Sequence, residues 1–197
     1  IIREDIRDLE HVKSIQQMSL LLDMLRERVS SEISVANLAT DLQLSPATVG
    51  KWIEIFEKMY LLFKVNSYVK KLPRAIQKPF KVYFYDNADV IGDEGAIFEN
   101  LVANHLRKSL DFRRDYTGEK MELYFLRDRE KHEVDFVVVK DQKIMELIEA
   151  KVSDDRPSLS LNYFAEKLNV SKITQIVLNA KSTFKKNKFT AIGPIEY

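Results

Sequence analysis

His132-Glu133-Val134-Asp135-Phe136-Val137-Val138-Val139 and Ile144-Met145-Glu146-Leu147-Ile148-Glu149-Ala150-Lys151 flank the polar connector Lys140-Asp141-Gln142-Lys143. Two apolar runs joined by a short polar link predict adjacent β-strands over 133–140 and 144–151. The run Val137-Val138-Val139 predicts a strand buried on both faces. Glu149 and Lys151 are two residues apart on the second strand, so they share one side of the sheet, whereas Glu146 falls on the other. Carboxylates and a lysine on apolar neighbouring strands are unexpected, because a buried charge is costly unless it is paired or binds a metal.

That chemistry suits a metal-dependent phosphodiesterase site. Asp135 and Glu149 offer the hard oxygen ligands that Mg²⁺ or Mn²⁺ takes. Such a cation polarises a phosphate and activates water. Lys151 would sit beside the charge developing on phosphorus. The competing reading is a surface hairpin with solvated charges. Glu149-Ala150-Lys151 is the only Glu-x-Lys in the chain, and it ends an apolar strand. Upstream, 94–110 reads as a helix in which Ala96, Val102, Ala103 and Leu106 surround Glu99 on one face. Glu99 is therefore a third candidate ligand. Its alternative role is an acid in the first helical turn, complementing the helix dipole.

Taken together, Glu99, Asp135 and Glu149-Ala150-Lys151 resemble, in order and spacing, the PD-(D/E)xK nuclease-like fold. Arg7-Asp8, Lys81-Val82-Tyr83-Phe84-Tyr85-Asp86, Phe98-Glu99-Asn100-Leu101-Val102, Glu133-Val134-Asp135-Phe136 and Ile148-Glu149-Ala150-Lys151 also look like the C-terminal region of bacterial and archaeal AAA-type ATPases. In that family an ATPase domain is followed by a winged helix and a nuclease-like domain. The resemblance covers nearly the whole chain. It implies a mixed α/β fold: a winged helix-turn-helix over 1–85, then a restriction-endonuclease-like α/β sandwich with a central mixed sheet over 86–197. It implies Glu99, Asp135, Glu149 and Lys151 as catalytic residues, with the three acids around Mg²⁺ or Mn²⁺. ATP would belong only to an ATPase domain upstream of Ile1.

The remaining residues are consistent with this plan. The chain has 197 residues, 31 basic against 30 acidic, and no cysteine. That excludes a disulfide framework and a thiolate metal site, and it fits a reducing cytoplasm. No run is long and apolar enough to span a bilayer, and no phosphate-cradling Gly-x-x-x-x-Gly-Lys-Ser/Thr is present. A chain that begins at Ile1 is expected to be a segment of a longer one. The apolar spacing of Ile15, Met18, Leu21, Leu22, Leu25 and Val29 predicts a helix over 13–31. Short helices at 34–42 and 44–56 make a helix-turn-helix, the second with Ser45 as N-cap and Pro46 in its first turn. Strands are expected at 60–65 and 82–86.

Thr48 and Lys51 start the helix that would enter a DNA groove, while Trp52 reads as core. Between Lys64 and Lys81 lie Lys70, Lys71, Arg74 and Lys78 with no acid, so this segment reads as a basic, phosphate-tracking wing. The alternative is a protein-contact module. A second basic cluster, Lys181, Lys185, Lys186 and Lys188, reads either as a backbone guide for nucleic acid or as a solvated loop. The last elements are expected at 121–127, 158–168, 173–179 and 188–193. The three histidines lack the spacing of a zinc site. Glu133 reads as a surface acid. The partners expected are DNA and the upstream ATPase domain, without a membrane; self-association is left open. Two functions follow. One is a Mg²⁺-dependent DNA nuclease. The other is a non-cleaving module that binds nucleic acid or protein, its acids paired in a buried charge network with Lys151.

Overall fold

The computed structural model describes residues 15–68, 79–153 and 156–197. Among these, five α-helices pack on one nine-stranded mixed sheet. The helices are α1 (Ile15–Arg26), α2 (Val35–Asp41), α3 (Pro46–Lys58), α4 (Glu94–Thr117) and α5 (Leu159–Lys167). The strands are β1 (Glu32–Ile33), β2 (Leu62–Ser67), β3 (Phe80–Phe84), β4 (Met121–Arg127), β5 (Glu133–Lys140), β6 (Lys143–Lys151), β7 (Ile173–Val177), β8 (Phe184–Lys186) and β9 (Phe189–Ile192). Their order across the sheet is β1-β3-β2-β4-β5-β6-β7-β9-β8.

The first three helices form as their apolar spacing dictates. Met18, Leu21, Leu22 and Leu25 line the buried stripe of α1. That helix is shorter than expected. After Arg26 the chain turns, and Ser30 takes a left-handed conformation that a helix cannot continue through. Residues 42–45 join α2 to α3, and Ser45 accepts a hydrogen bond from the Thr48 N–H at 3.0 Å. The antiparallel pair β2–β3 follows, displaced from the expected limits because Tyr60 turns in the left-handed region and Asp86 instead caps a 3₁₀ turn at Asn87–Asp89.

The sheet does not stop at residue 85. β2 runs parallel to β4 through the pairs Asn66↔Tyr124 and Ser67↔Phe125, so both predicted units share one sheet. Antiparallel β4, β5 and β6 come next, and Asp141 and Gln142, both with positive φ, make the tight turn between β5 and β6. After α5, β7 lies parallel to β6 and β9 parallel to β7. The central strands are covered on both sides. Phe136, Val138 and Ile148 belong to the core with α3 and α4, whereas Val137, Val139 and Leu147 pack with Leu161 and Phe164 of α5.

An irregularity in β5 positions the site. Between the pairs Leu126↔Val134 and Tyr124↔Val137, β4 advances two residues and β5 three. The extra residue is a bulge at Asp135-Phe136, and a bulge re-aims side chains next to it.

Helix α4 is fastened to β3 by Asn100, which is fully buried. Its Oδ1 accepts the Phe84 N–H at 2.8 Å, and its Nδ2 donates to the Phe84 carbonyl at 3.0 Å and to Asn87 Oδ1 at 2.9 Å. Asn100→Ala leaves the buried Phe84 N–H without its acceptor and should cost about 2 kcal/mol of stability. Urea unfolding of the variant measures it, and a loss below about 0.5 kcal/mol would mean that water replaces the amide.

Candidate functional site

Glu99 on α4, Lys81 and Tyr83 on β3, Glu133 and Asp135 on β5, and Glu149 and Lys151 on β6 form one cluster of charge. Each comes from a predictable local pattern. Lys81 and Tyr83 are two apart on a strand buried on both faces, so they point the same way. Glu99 precedes Asn100, whose bonds to Phe84 bring that helical turn against β3.

The geometry is specific. Tyr83 donates its hydroxyl to Glu99 Oε1 at 2.6 Å, and Lys81 Nζ lies 3.3 Å from the same oxygen. Lys81 Nζ also lies 2.6 Å from Glu133 Oε1, and Arg127 holds Glu133 Oε2 at 3.2 Å. Asp135 Oδ2 accepts the Ala150 N–H at 2.9 Å, which ties β5 to the Glu149-Ala150-Lys151 end of β6. Lys151 Nζ lies 2.8 Å from Glu149 Oε1. Glu149 Oε2 is buried with no hydrogen-bond partner. Lys81 is 1 % exposed and Glu149 4 %, yet Lys151 keeps 40 % of its side-chain surface, so the cluster reaches solvent along the Lys151 side.

Crowded carboxylates resist ionisation. Burial, then the neighbouring Asp135, pushes both Glu99 and Glu149 up to about 7. Burial likewise raises Asp135, against the pull of Lys81. For the lysines, burial opposes the charge but the acids outweigh it, so Lys81 and Lys151 are both held above their ordinary values. Tyr83 is kept firmly protonated by burial and by Glu99.

The four sequence-predicted residues Glu99, Asp135, Glu149 and Lys151 thus converge. The cluster holds more than these four. Lys81, read as part of a basic wing, is instead a buried counter-ion, and Glu133, read as a surface acid, is its closest partner. Alternation of Lys81 and Tyr83 within an apolar strand was the available signal.

Fit to a divalent cation differs among the acids. Asp135 and Glu149 suit it, since Glu149 has an unused buried oxygen and lies against the Asp135 charge. Glu99 Oε1 already accepts from two donors. Among the described residues, the one group of three ligand-type side chains with ligand atoms within 4.8 Å of one another lies elsewhere. It is Asp128, Glu130 and His132 in the β4–β5 loop, where the ligand types alternate with Arg129 and Lys131. His132 Nδ1 is 3.1 Å from Asp128 Oδ2, and its ring stacks on Tyr163 at 4.3 Å.

Lys51 is exposed on α3 and Thr48 is half-buried, its hydroxyl 2.8 Å from that of Ser45. Trp52 is in the core, as expected. Lys64 pairs with Glu57 at 2.6 Å. Lys70, Lys71, Arg74 and Lys78 lie outside the described residues. No described helix is long and apolar enough to cross a membrane.

The fold and this cluster define a mixed α/β protein with acids and lysines gathered at the junction of β3, α4, β5 and β6. Residues 94–196 match the family model described as Domain of unknown function (DUF4143), and the chain belongs to that family. Residues 1–88 match a second model, Domain of unknown function (DUF8612). No curated protein and no solved structure matches the chain.

Proposed function

We propose that this chain is the C-terminal part of an AAA-type ATPase, a winged helix (1–85) joined to a restriction-endonuclease-like domain (86–197) that acts on DNA phosphodiesters with Mg²⁺ or Mn²⁺. The observation that carries the reading is the pairing of Asp135 with the Glu149-Ala150-Lys151 end of β6, where one buried carboxylate oxygen has no partner. The order helix, three antiparallel strands, helix, parallel strand supports it, with Glu99 on the first helix, Asp135 on the second strand and Glu149 on the third.

In this reading Asp135 and Glu149 would hold the cation, with Glu99 as a third candidate ligand. The bound cation supplies Lewis-acid polarisation of the phosphate and a more acidic water. Lys151, half exposed and fixed by Glu149, presents its ammonium to an incoming phosphate oxygen. Lys81 and Tyr83 keep the Glu99 carboxylate in place. Thr48 and Lys51 on α3, with Lys70, Lys71, Arg74 and Lys78, form the DNA-contacting set, and the location is the cytoplasm.

Calorimetric titration of Mg²⁺ and Mn²⁺ into the chain and into Asp135→Ala tests this. Binding that is lost in the variant supports the site and justifies a cleavage screen over single-stranded, duplex and branched DNA. Absence of binding at millimolar metal overturns the catalytic reading. One observation favours the non-cleaving module instead: Lys81, itself buried, already neutralises Glu99 and Glu133 from within the protein.

A further inference from the structure

The far edge of the sheet carries a feature that the acid cluster does not use. Between α5 and the β8–β9 hairpin lies a groove of about 690 Å³, well within the range of small-ligand and nucleotide sites. Phe189 and Ile173 form its apolar floor, 5 % and 1 % exposed. Phe184 stands over that floor with 46 % of its surface open, its ring centroid 6.4 Å from that of Phe189.

Register explains the arrangement. Phe184 pairs with Ala191 and Lys186 with Phe189, so Phe184 and Lys186 share the groove side while Lys185 faces away. The hairpin turns at Asn187, which has a positive φ, and this brings Lys188 to the rim beside Lys186. Arg156 and Asn162 also line it, and among the described residues no carboxylate does. Lys186 and Lys188 have no ion-pair partner among the described residues.

An open aromatic ring on an apolar floor takes a flat, weakly polar group. A rim that carries the exposed Lys186 and Lys188 takes repeated negative charge. A ligand that alternates the two is a nucleic-acid strand whose bases are unstacked. A duplex keeps its bases inside, and a peptide of acidic residues alone has no ring to place on Phe184.

We infer that the groove between α5 and the β8–β9 hairpin binds single-stranded nucleic acid, with a base on Phe184 and phosphates on Lys186 and Lys188. This surface is separate from the acid cluster, and its occupancy needs no metal.

Fluorescence anisotropy of a labelled oligothymidylate, in EDTA, tests it on the whole chain. The wild type should bind, with affinity falling steeply between about 50 and 200 mM salt. Phe184→Ala should weaken binding about tenfold or more. The double variant Lys186→Ala/Lys188→Ala should weaken it and lower the log–log salt slope by about 1.4. All three residues are exposed, so circular dichroism and melting should be unchanged; a variant that melts early is replaced by Phe184→Leu or by Lys→Gln. No binding by the wild type overturns the inference, as does equal binding by the variants. Competition by duplex DNA, polyglutamate or free mononucleotide as effective as that by the single strand also overturns it. Because EDTA removes divalent cations, failure here is distinguishable from failure of the Asp135–Glu149 site.

Discussion

Lys81→Met is expected to destabilise the folded chain by about 3–5 kcal/mol, enough to unfold a protein of ordinary stability. The ammonium is 1 % exposed and lies 2.6 Å from Glu133 and 3.3 Å from Glu99. Methionine fills the same volume but leaves Glu99, Glu133 and Asp135 without their shared cation. The loss should shrink as pH falls, because the stranded acids then take up protons. It should also shrink when Glu99→Gln is added to Lys81→Met, which removes one of the repelling charges. Urea midpoints at pH 7.5 and pH 5.5 measure both effects. A loss under about 1 kcal/mol at pH 7.5 would show that Lys81 reaches water in solution.

The second large effect is a fall in stability as pH rises through neutrality. Glu99 and Glu149 sit at about 7 in the folded chain, against an ordinary value of 4.5. Between these values the folded state holds protons that the unfolded state has released. Stability from this source is therefore complete below about 4.5, declines as pH rises toward 7, and is gone above it. The change should be on the order of a few kcal/mol for the pair. Melting temperatures from pH 5 to pH 8.5 should fall in the wild type and stay nearly level in Glu99→Gln/Glu149→Gln. On the proposed metal site, addition of Mg²⁺ or Mn²⁺ should restore the wild type at pH 8, since a bound cation would substitute for the missing protons. A wild-type profile that is flat from pH 5 to pH 8 contradicts the described crowding.

Much of this architecture is legible in the chain because the decisive elements are strongly patterned. The runs around Asp135 and Glu149 have the length, apolarity and polar connector of paired central strands, and they fold that way. The Ser45-Pro46 start of α3 is likewise a local signal with a local cause. Where tertiary context decides, the reading falls short. Helix α4 continues seven residues beyond the expected Leu110, through an exposed tail in which only Phe112 and Tyr116 keep a helical spacing, until Gly118 takes the left-handed conformation that ends it. Strand β8 is three exposed residues in a lysine-rich run, held only by pairing with β9. The bulge at Asp135-Phe136 depends on register with β4 and leaves no mark in β5 alone. Lys81 misleads for the same reason: its basic neighbours suggest a surface, and only the approach of Glu99 and Glu133 makes it interior.

The placement of Lys81 also constrains the order in which the molecule can be built. A ribosome releases β3 before α4 and β5, so Val82, Tyr83 and Phe84 emerge before the residues that enclose them. Until Glu99 and Glu133 follow, Lys81 has no partner in the interior and must keep its hydration. A break between residues 88 and 94, where the two family models part, would separate this cation from all of its acids.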